Sequence, residues 1–137
     1  MFDNCVNTNK QGDVGMACAI QYFSMLGYVV SIPLTDSQEY DIIIDNGKRL
    51  FTVQVKTTKH KTRYNNYTVS LKTSYGNRKR NVVKVCTDIK YDLLFVLTAE
   101  GTCYLIPKCD IKSIRNGVVL GKDKERYKVY QYEQVKV

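Results

Sequence analysis

The sequence predicts a single α/β domain over residues 1–137, with a mixed central β-sheet flanked by helices. Three observations predict this fold class. Apolar residues recur at helical spacing in residues 13–26, residues 40–57 have the pattern of a β-hairpin, and residues 92–107 hold two apolar runs typical of buried strands. A chain of 137 residues is near the commonest domain size and can bury one hydrophobic core.

Composition and charge favour a soluble protein with a polyanionic partner. The chain is 44% hydrophobic and 25% charged, which is ordinary for a globular protein. Its 21 basic and 13 acidic residues give a net charge of +8, which suits nucleic acid. No run is apolar over the roughly 18 residues that a membrane span requires, so we expect no membrane partner. The alternative is a chain that is basic without binding nucleic acid.

Cysteine use indicates an intracellular protein. The five cysteines form no CxxC pair and are odd in number, so we expect free thiols in a reducing compartment rather than a disulfide scaffold or a zinc site. The N-terminus begins polar and lacks the apolar run of a signal peptide. We therefore expect a cytoplasmic location, in a prokaryote or in a cell infected by a phage or virus.

The first predicted element is a helix over residues 13–26, which follows an irregular stretch at residues 1–9. An apolar stripe at helical spacing defines its buried face, and this stripe is formed by Met16, Ala19, Ile20 and Phe23. Gly27 stands in the usual place for a helix C-terminus. A short strand at residues 28–32 and a polar loop at residues 33–39 follow.

The domain is organised around the hairpin at residues 40–57. Two runs rich in β-branched residues, 40–45 and 48–57, flank Asn46-Gly47. Asn-Gly between such runs is the strongest local signal for a hairpin, because both residues tolerate a positive φ. Apolar and polar residues alternate in the second run, so one face of that strand meets a core and the other carries polar side chains.

The register of this hairpin determines which polar side chains meet. With a two-residue loop Asp41 lies opposite Thr52, one diagonal step from Gln54, and with a four-residue loop it lies directly opposite Gln54. Either register places Asp41, Gln54 and Lys56 on one face. A three-residue loop without a bulge would separate them.

A carboxylate, an amide and a lysine on one face have a recognisable chemical use. Carboxylate and amide oxygens are hard ligands that suit Mg²⁺ or Mn²⁺, and Mg²⁺ is commonly held by one or two carboxylates together with a substrate phosphate. The lysine can orient or help to deprotonate an attacking water, or offset negative charge that builds on a phosphate. The alternative is a surface hairpin whose three polar residues share no role.

Several short motifs occur in a recognisable order and spacing over most of residues 10–107. In chain order they are Lys10-Gln-Gly-Asp-Val-Gly15, Leu26-Gly-Tyr-Val29, Pro33, Tyr40-Asp41, Gln54-Val-Lys-Thr-Thr58, Lys90-Tyr-Asp-Leu-Leu-Phe-Val-Leu97 and Tyr104-Leu-Ile-Pro107. Together they resemble the motifs of the PD-(D/E)XK nuclease superfamily. The resemblance is most specific to the small homing endonucleases encoded in group I introns, whose motif carries Gln where most relatives carry Asp or Glu.

The resemblance implies a restriction-endonuclease-like core and metal-dependent hydrolysis of double-stranded DNA, with site-specific cleavage of the homing type. It implies that Asp41 is the principal catalytic metal ligand and that Gln54 is a second ligand or orients water. Lys56 would position the attacking water and balance charge. A homo-oligomer, either a dimer or a tetramer, is also implied, because so small a domain covers only part of a long target.

One position departs from the family pattern. The family generally has a glutamate directly after the second glycine of the opening motif, where it completes the metal site, but this chain has Met16. A soft thioether is a poor ligand for Mg²⁺. Asp13 or Glu39 could supply the missing carboxylate, although Asp13 also suits a helix N-terminus and Glu39 a solvated loop end. Otherwise the site is short of a ligand, by natural decay or by alteration of the sequence.

Two further functions remain open at this point. A cleavage-impaired DNA-binding module with the same fold would explain Met16. A resolvase of branched DNA, such as a Holliday junction, would share the chemistry and fold and differ only in substrate shape.

Basic residues after the hairpin are candidates for DNA contact. Hydroxyls and cations next to a metal site can hold the flanking phosphates without reading sequence. We expect residues 73–81 to form a loop whose arginines track the backbone or read a groove. His60, the only histidine, is expected to be exposed and without a catalytic role. The candidates for DNA contact are Thr57, Thr58, Lys59, Lys61, Arg63, Arg78, Lys79 and Arg80.

The remaining predicted elements are strands. They lie at residues 67–72, 92–98, 103–107 and 126–132. Asp92 opens its strand much as Asp41 opens the hairpin, so we expect it to support the site without contacting substrate.

Overall fold

The computed structural model describes residues 1–71, 89–111 and 117–132, together with the backbone of residues 73–77 and 80–84. Its one α-helix in the described residues is α1 (Thr8–Met25). Two 3-10 helices follow much later, at Lys108–Asp110 and Lys122–Tyr127. No helix in this described part of the chain is both long and apolar enough to cross a membrane.

Six strands form one mixed sheet in the order β1-β2-β3-β7-β8-β10. Strands β3 and β7 pair in parallel, and all other neighbours in this sheet are antiparallel. The mixed sheet with a helix packed on it confirms the predicted α/β class. The strands are β1 (Val29–Ser31), β2 (Ile42–Asp45), β3 (Leu50–Thr58), β4 (Tyr67–Ser70), β5 (Thr73–Asn77), β6 (Arg80–Lys84), β7 (Leu93–Thr98), β8 (Thr102–Pro107), β9 (Gly117–Leu120) and β10 (Lys128–Gln131).

Two hydrophobic cores lie on opposite faces of this sheet. Helix α1 covers the first core, in which Phe23 packs with Val53 and Phe95. Side chains alternate between the faces of a strand, so Leu94 belongs to the second core. That core is covered by the separate β4–β9 pair, which contributes Val69 among others. Strand β3 is therefore central and has packed neighbours on both faces.

The hairpin takes the four-residue loop. Ile42 pairs with Val53 and Asp45 with Leu50, which leaves residues 46–49 as the loop. The Asp45 carboxylate accepts the backbone N–H of Gly47 at 2.8 Å. Such short polar side chains stabilise turns by bonding to the backbone that follows them.

The structure corrects several predicted elements. Helix α1 begins at Thr8, inside the stretch expected to be irregular, because the Asn7 side chain caps it by accepting the backbone N–H of Lys10 at 3.0 Å. The expected loop at residues 73–81 contains paired strands, since β5 and β6 form their own antiparallel two-stranded sheet. In the tail, residues 126–127 complete a 3-10 helix before β10 begins.

Candidate active site

The candidate site lies where the β2–β3 ladder ends. Asp41 directly precedes β2, and its backbone N–H donates to the Val53 carbonyl at 2.9 Å. Continuing the register by one step sets Asp41 opposite Gln54. The four-residue loop thus gives the second of the two arrangements that the sequence allowed.

The Asp41 carboxylate takes the place of a strand neighbour for β3. Its Oδ2 atom accepts the backbone N–H of Val55 at 2.7 Å and the Nε2 of Gln54 at 2.7 Å. The first bond satisfies a backbone donor just beyond the end of β2, and the second fixes the Gln54 side chain beside the carboxylate. Asp41 Oδ1 takes part in neither bond.

Burial and charge act on Asp41 in opposite directions. Burial raises the pKa of this carboxyl above its ordinary value, while the hydrogen bond from Val55, the positive charge of Lys56 and the bond from Gln54 act to lower it. Burial is the largest influence, because moving a carboxylate out of water disfavours its charged form. A bound cation would remove this penalty.

Lys56 lies on the same face of β3 as Gln54. In the parallel register Gln54 pairs with Leu94 and Lys56 with Val96, and both of these β7 residues belong to the second core. Lys56 is half-buried. The structure therefore brings the three residues together at one end of the hairpin, with the amide and the ammonium facing away from α1.

Helix α1 holds this part of β3 from the other face. Gln11, which is 8% exposed, donates its Nε2 to the Thr57 hydroxyl at 2.9 Å. A Cβ built on Gly15 would lie 2.5 Å from Thr57 Cγ2, so only glycine allows the helix to approach so closely. Sequence reasoning missed this contact, although the Gln11-Gly-Asp-Val-Gly15 spacing places both residues on one helix face.

The three candidate carboxylates do not all gather at the site. Among the described residues, no three His, Cys, Asp or Glu side chains are grouped so that they could hold a metal ion. Asp13, Glu39 and Asp41 therefore do not converge. Met16 is half-buried and packs against the first core.

The basic segment after β3 divides into exposed and engaged residues. Lys59 and Arg63 are exposed. Lys61 Nζ lies 3.0 Å from Glu100 Oε1. Thr57 accepts from Gln11, and Thr58 is 3% exposed and donates its hydroxyl to the Thr68 carbonyl.

The structure also locates other residues that the sequence singled out. His60 is exposed. The Asp92 carboxylate accepts the Thr52 backbone N–H at 2.9 Å and so ties β7 to β3 at the start of their parallel pairing. Arg78 and Lys79 lie outside the described residues, and only the backbone of Arg80 is described.

Comparison of the chain with known protein families gives a result consistent with the polar cluster at the hairpin end. A family model described as PD-(D/E)XK endonuclease matches residues 6–133. The chain belongs to this family. PD-(D/E)XK endonucleases generally use divalent metal ions.

A solved structure supports the same assignment for this PD-(D/E)XK endonuclease. The fold is similar to that of I-Ssp6803I, described as a bacterial homing endonuclease, with a TM-score of 0.73 and 25% sequence identity. The similarity covers 88% of this chain and 82% of that one. None of the curated proteins matches the sequence.

Proposed function

We propose that this PD-(D/E)XK endonuclease hydrolyses phosphodiester bonds of double-stranded DNA with a divalent metal, as a site-specific enzyme of the homing type. The observation that carries the proposal is the meeting of Asp41, Gln54 and Lys56 at the open end of the hairpin. We further propose that residues 1–137 act as a single nuclease domain.

The donor set fits a hard cation such as Mg²⁺ or Mn²⁺. Asp41 Oδ1 is outside both hydrogen bonds that hold the carboxylate, and Gln54 Oε1 is the amide's acceptor atom. One carboxylate and one amide oxygen suit an ion that keeps several waters and shares a substrate phosphate. The metal would supply Lewis-acid stabilisation of the phosphate charge.

Each residue has a distinct role in this proposal. Asp41 provides the negative charge that binds the cation, and the Val55 N–H fixes its orientation. Gln54 is held beside the carboxylate as a second, neutral ligand. Lys56 positions the attacking water and balances charge as the phosphate is attacked.

The net charge of +8 and the exposed basic segment support DNA as the substrate. We propose that Lys59, Lys61 and the basic run at residues 78–80 contact phosphates, and that Arg63 also contacts the DNA. We leave out Thr58, because its hydroxyl is buried and bonded within the protein. A homo-oligomer would let two or more copies cover a long target.

The intracellular location stays part of the proposal. Cys18 and Cys103 are buried free thiols, and burial raises the pKa of Cys103 to about 12. Such a thiol stays protonated and unreactive, which suits a structural role in a reducing compartment.

Cleavage of supercoiled plasmid with Mg²⁺ or Mn²⁺ tests the proposal. We expect nicked and linear products from the native protein, no products with EDTA, and a loss of at least about a hundredfold in rate for Lys56→Ala. The matched control is Lys48→Ala, because Lys48 is exposed in the loop at the far end of the same hairpin. Undiminished cleavage by Lys56→Ala would refute the assigned mechanism.

Met16, at the position where the family generally has a glutamate, favours a second candidate, a DNA-binding module that has lost cleavage. This candidate predicts salt-sensitive DNA binding without products in either metal. Cleavage by the native protein excludes it.

A further inference from the structure

The chain after β3 forms a rigid turn that neither the fold nor the proposed cleavage explains. The backbone N–H of Thr68 donates to the His60 carbonyl at 3.0 Å, and that of Thr62 donates to the Asn66 carbonyl at 2.8 Å. Between them, Lys61 forms a β-bridge with Tyr67. These contacts make a two-stranded ribbon that continues from β3. We call residues 61–67 the β3–β4 turn.

The tip of the β3–β4 turn is held in one conformation. Asn65 N–H donates to the Thr62 carbonyl at 2.9 Å, and the Thr62 hydroxyl accepts the backbone N–H of Tyr64 at 3.3 Å. Asn65 has a φ of 65°, a conformation that asparagine tolerates better than most residues. A turn fixed in this way presents its outer side chains in a defined direction.

Those outer side chains are an arginine and a tyrosine stacked together. Tyr64 is 72% exposed, and the Arg63 guanidinium carbon lies 4.8 Å from its ring centroid. Arg63 Nη2 also donates to the Tyr64 hydroxyl at 2.8 Å. An exposed aromatic ring stiffened by an arginine adds nothing to either core, but it offers a planar apolar surface and several hydrogen-bond donors to a partner.

The surroundings of the tip are positive. Lys59 and Lys61 precede it in the ribbon, and one carboxylate, Glu100, lies within ion-pair distance of Lys61. Charge complementarity therefore selects a polyanion. A two-stranded ribbon fits the major groove of B-DNA, which is about 12 Å wide.

We propose that the β3–β4 turn enters the major groove beside the scissile phosphate and that the Arg63–Tyr64 pair contacts base edges there, giving the enzyme part of its sequence preference. This proposal rests on the proposed DNA cleavage. The Tyr64 ring packs on a thymine methyl group, and Arg63 donates to acceptor atoms such as those of guanine. Lys59 and Lys61 hold the adjoining phosphates.

Chain length limits where these contacts can fall. Tyr64 lies eight positions after Lys56, and a strand advances about 3.3 Å per residue, so the tip lies at most about 26 Å from the site. At about 3.4 Å per base pair, the contacted bases lie within about eight base pairs of the cut.

Selection of bound sites from a random 40-base-pair library tests the proposal, with the native protein, Tyr64→Ala and Tyr130→Ala. Tyr130 is the matched control, because it is also exposed, at 44%, but lies on the edge strand β10. We expect Tyr64→Ala to lose base preference at positions within about eight base pairs of the cut and to bind the native site about tenfold more weakly, equivalent to about 1.4 kcal/mol. Its salt dependence should be unchanged, because no charge is removed.

The outcomes separate this proposal from the proposed function. If Tyr64→Ala selects the native site, or if Tyr130→Ala loses the same preference, the β3–β4 turn does not read the groove and the endonuclease assignment stands. Binding by the native protein without any base preference likewise overturns the inference. If the native protein does not bind DNA at all, the proposed function fails first. Circular dichroism checks that each variant is folded.

Discussion

Replacing Gly15 by alanine should destabilise the protein unless Thr57 is shortened at the same time. The new Cβ would lie 2.5 Å from Thr57 Cγ2. Carbon atoms in contact are normally about 3.5–4.0 Å apart, so the overlap is about 1 Å or more. Thr57 cannot easily turn away, because its hydroxyl accepts from Gln11.

Two opposing effects determine how much Gly15→Ala changes the free energy of unfolding. Overpacking of this kind costs about 1–3 kcal/mol, whereas alanine in place of glycine inside a helix gains about 1 kcal/mol. We therefore expect Gly15→Ala to lower the free energy of unfolding by about 1 kcal/mol. With Thr57→Ser the methyl group is gone and the bond from Gln11 can stay, and the next contact, Val55 Cγ1 at 3.4 Å, is tight without a clash. In that background the same change should stabilise the protein by up to about 1 kcal/mol.

Urea denaturation followed by circular dichroism measures all four proteins of this double-mutant cycle. The expected coupling between the two positions is about 2 kcal/mol, because Gly15→Ala should destabilise the protein when Thr57 is present and stabilise it after Thr57→Ser. An equal effect of Gly15→Ala in both backgrounds would refute the close approach of α1 to β3. Because Lys56 precedes Thr57, we also expect the clash to lower the rate of cleavage.

Two further predictions follow from charges near the site. Burial raises the pKa of Asp41 above its unfolded value near 3.8. The stability that the protonated carboxyl contributes is therefore fully present below pH 3.8 and is lost as the pH rises through the folded pKa. Asp41→Asn should abolish cleavage, but without metal it should increase the free energy of unfolding at pH 7, with a smaller gain at acidic pH. Urea denaturation at both pH values checks this, and a loss of stability at pH 7 would contradict it. Glu100→Gln should free Lys61, strengthen DNA binding severalfold at low salt and steepen the slope of log K against log salt by about 0.9. Fluorescence anisotropy measures this binding, and the control is Glu125→Gln, which makes the same charge change but frees Lys128, 2.8 Å from Glu125; an equal effect of both variants would contradict a specific role for Lys61.

The site hairpin could be predicted because its signals are local. The β-branched runs, the Asn46-Gly47 turn and the strand alternation all lie within residues 40–57. The choice between the two registers could not be made from the pattern alone. It depends on side chains that bond to loop backbone, such as Asp45 to Gly47.

Contacts between distant parts of the chain were not visible in the sequence. The Gln11–Thr57 bond joins residues 46 positions apart, and strand β4 finds its partner in β9. The hairpin of β5 and β6 was mistaken for a loop, because Gly76 and several basic residues interrupt its alternation. In such cases pairing across the fold overrides weak local preference.

The parallel pairing of β3 with β7 has a consequence for synthesis of the enzyme. β3 ends at Thr58, but its neighbour is complete only at Thr98. A nascent chain that has exposed only its first ninety residues can close the hairpin, but β3, which bears the proposed site residues Gln54 and Lys56, still lacks its second neighbouring strand. Long-range parallel pairing also forms slowly. The sheet around the proposed site is therefore complete only after synthesis has passed Thr98.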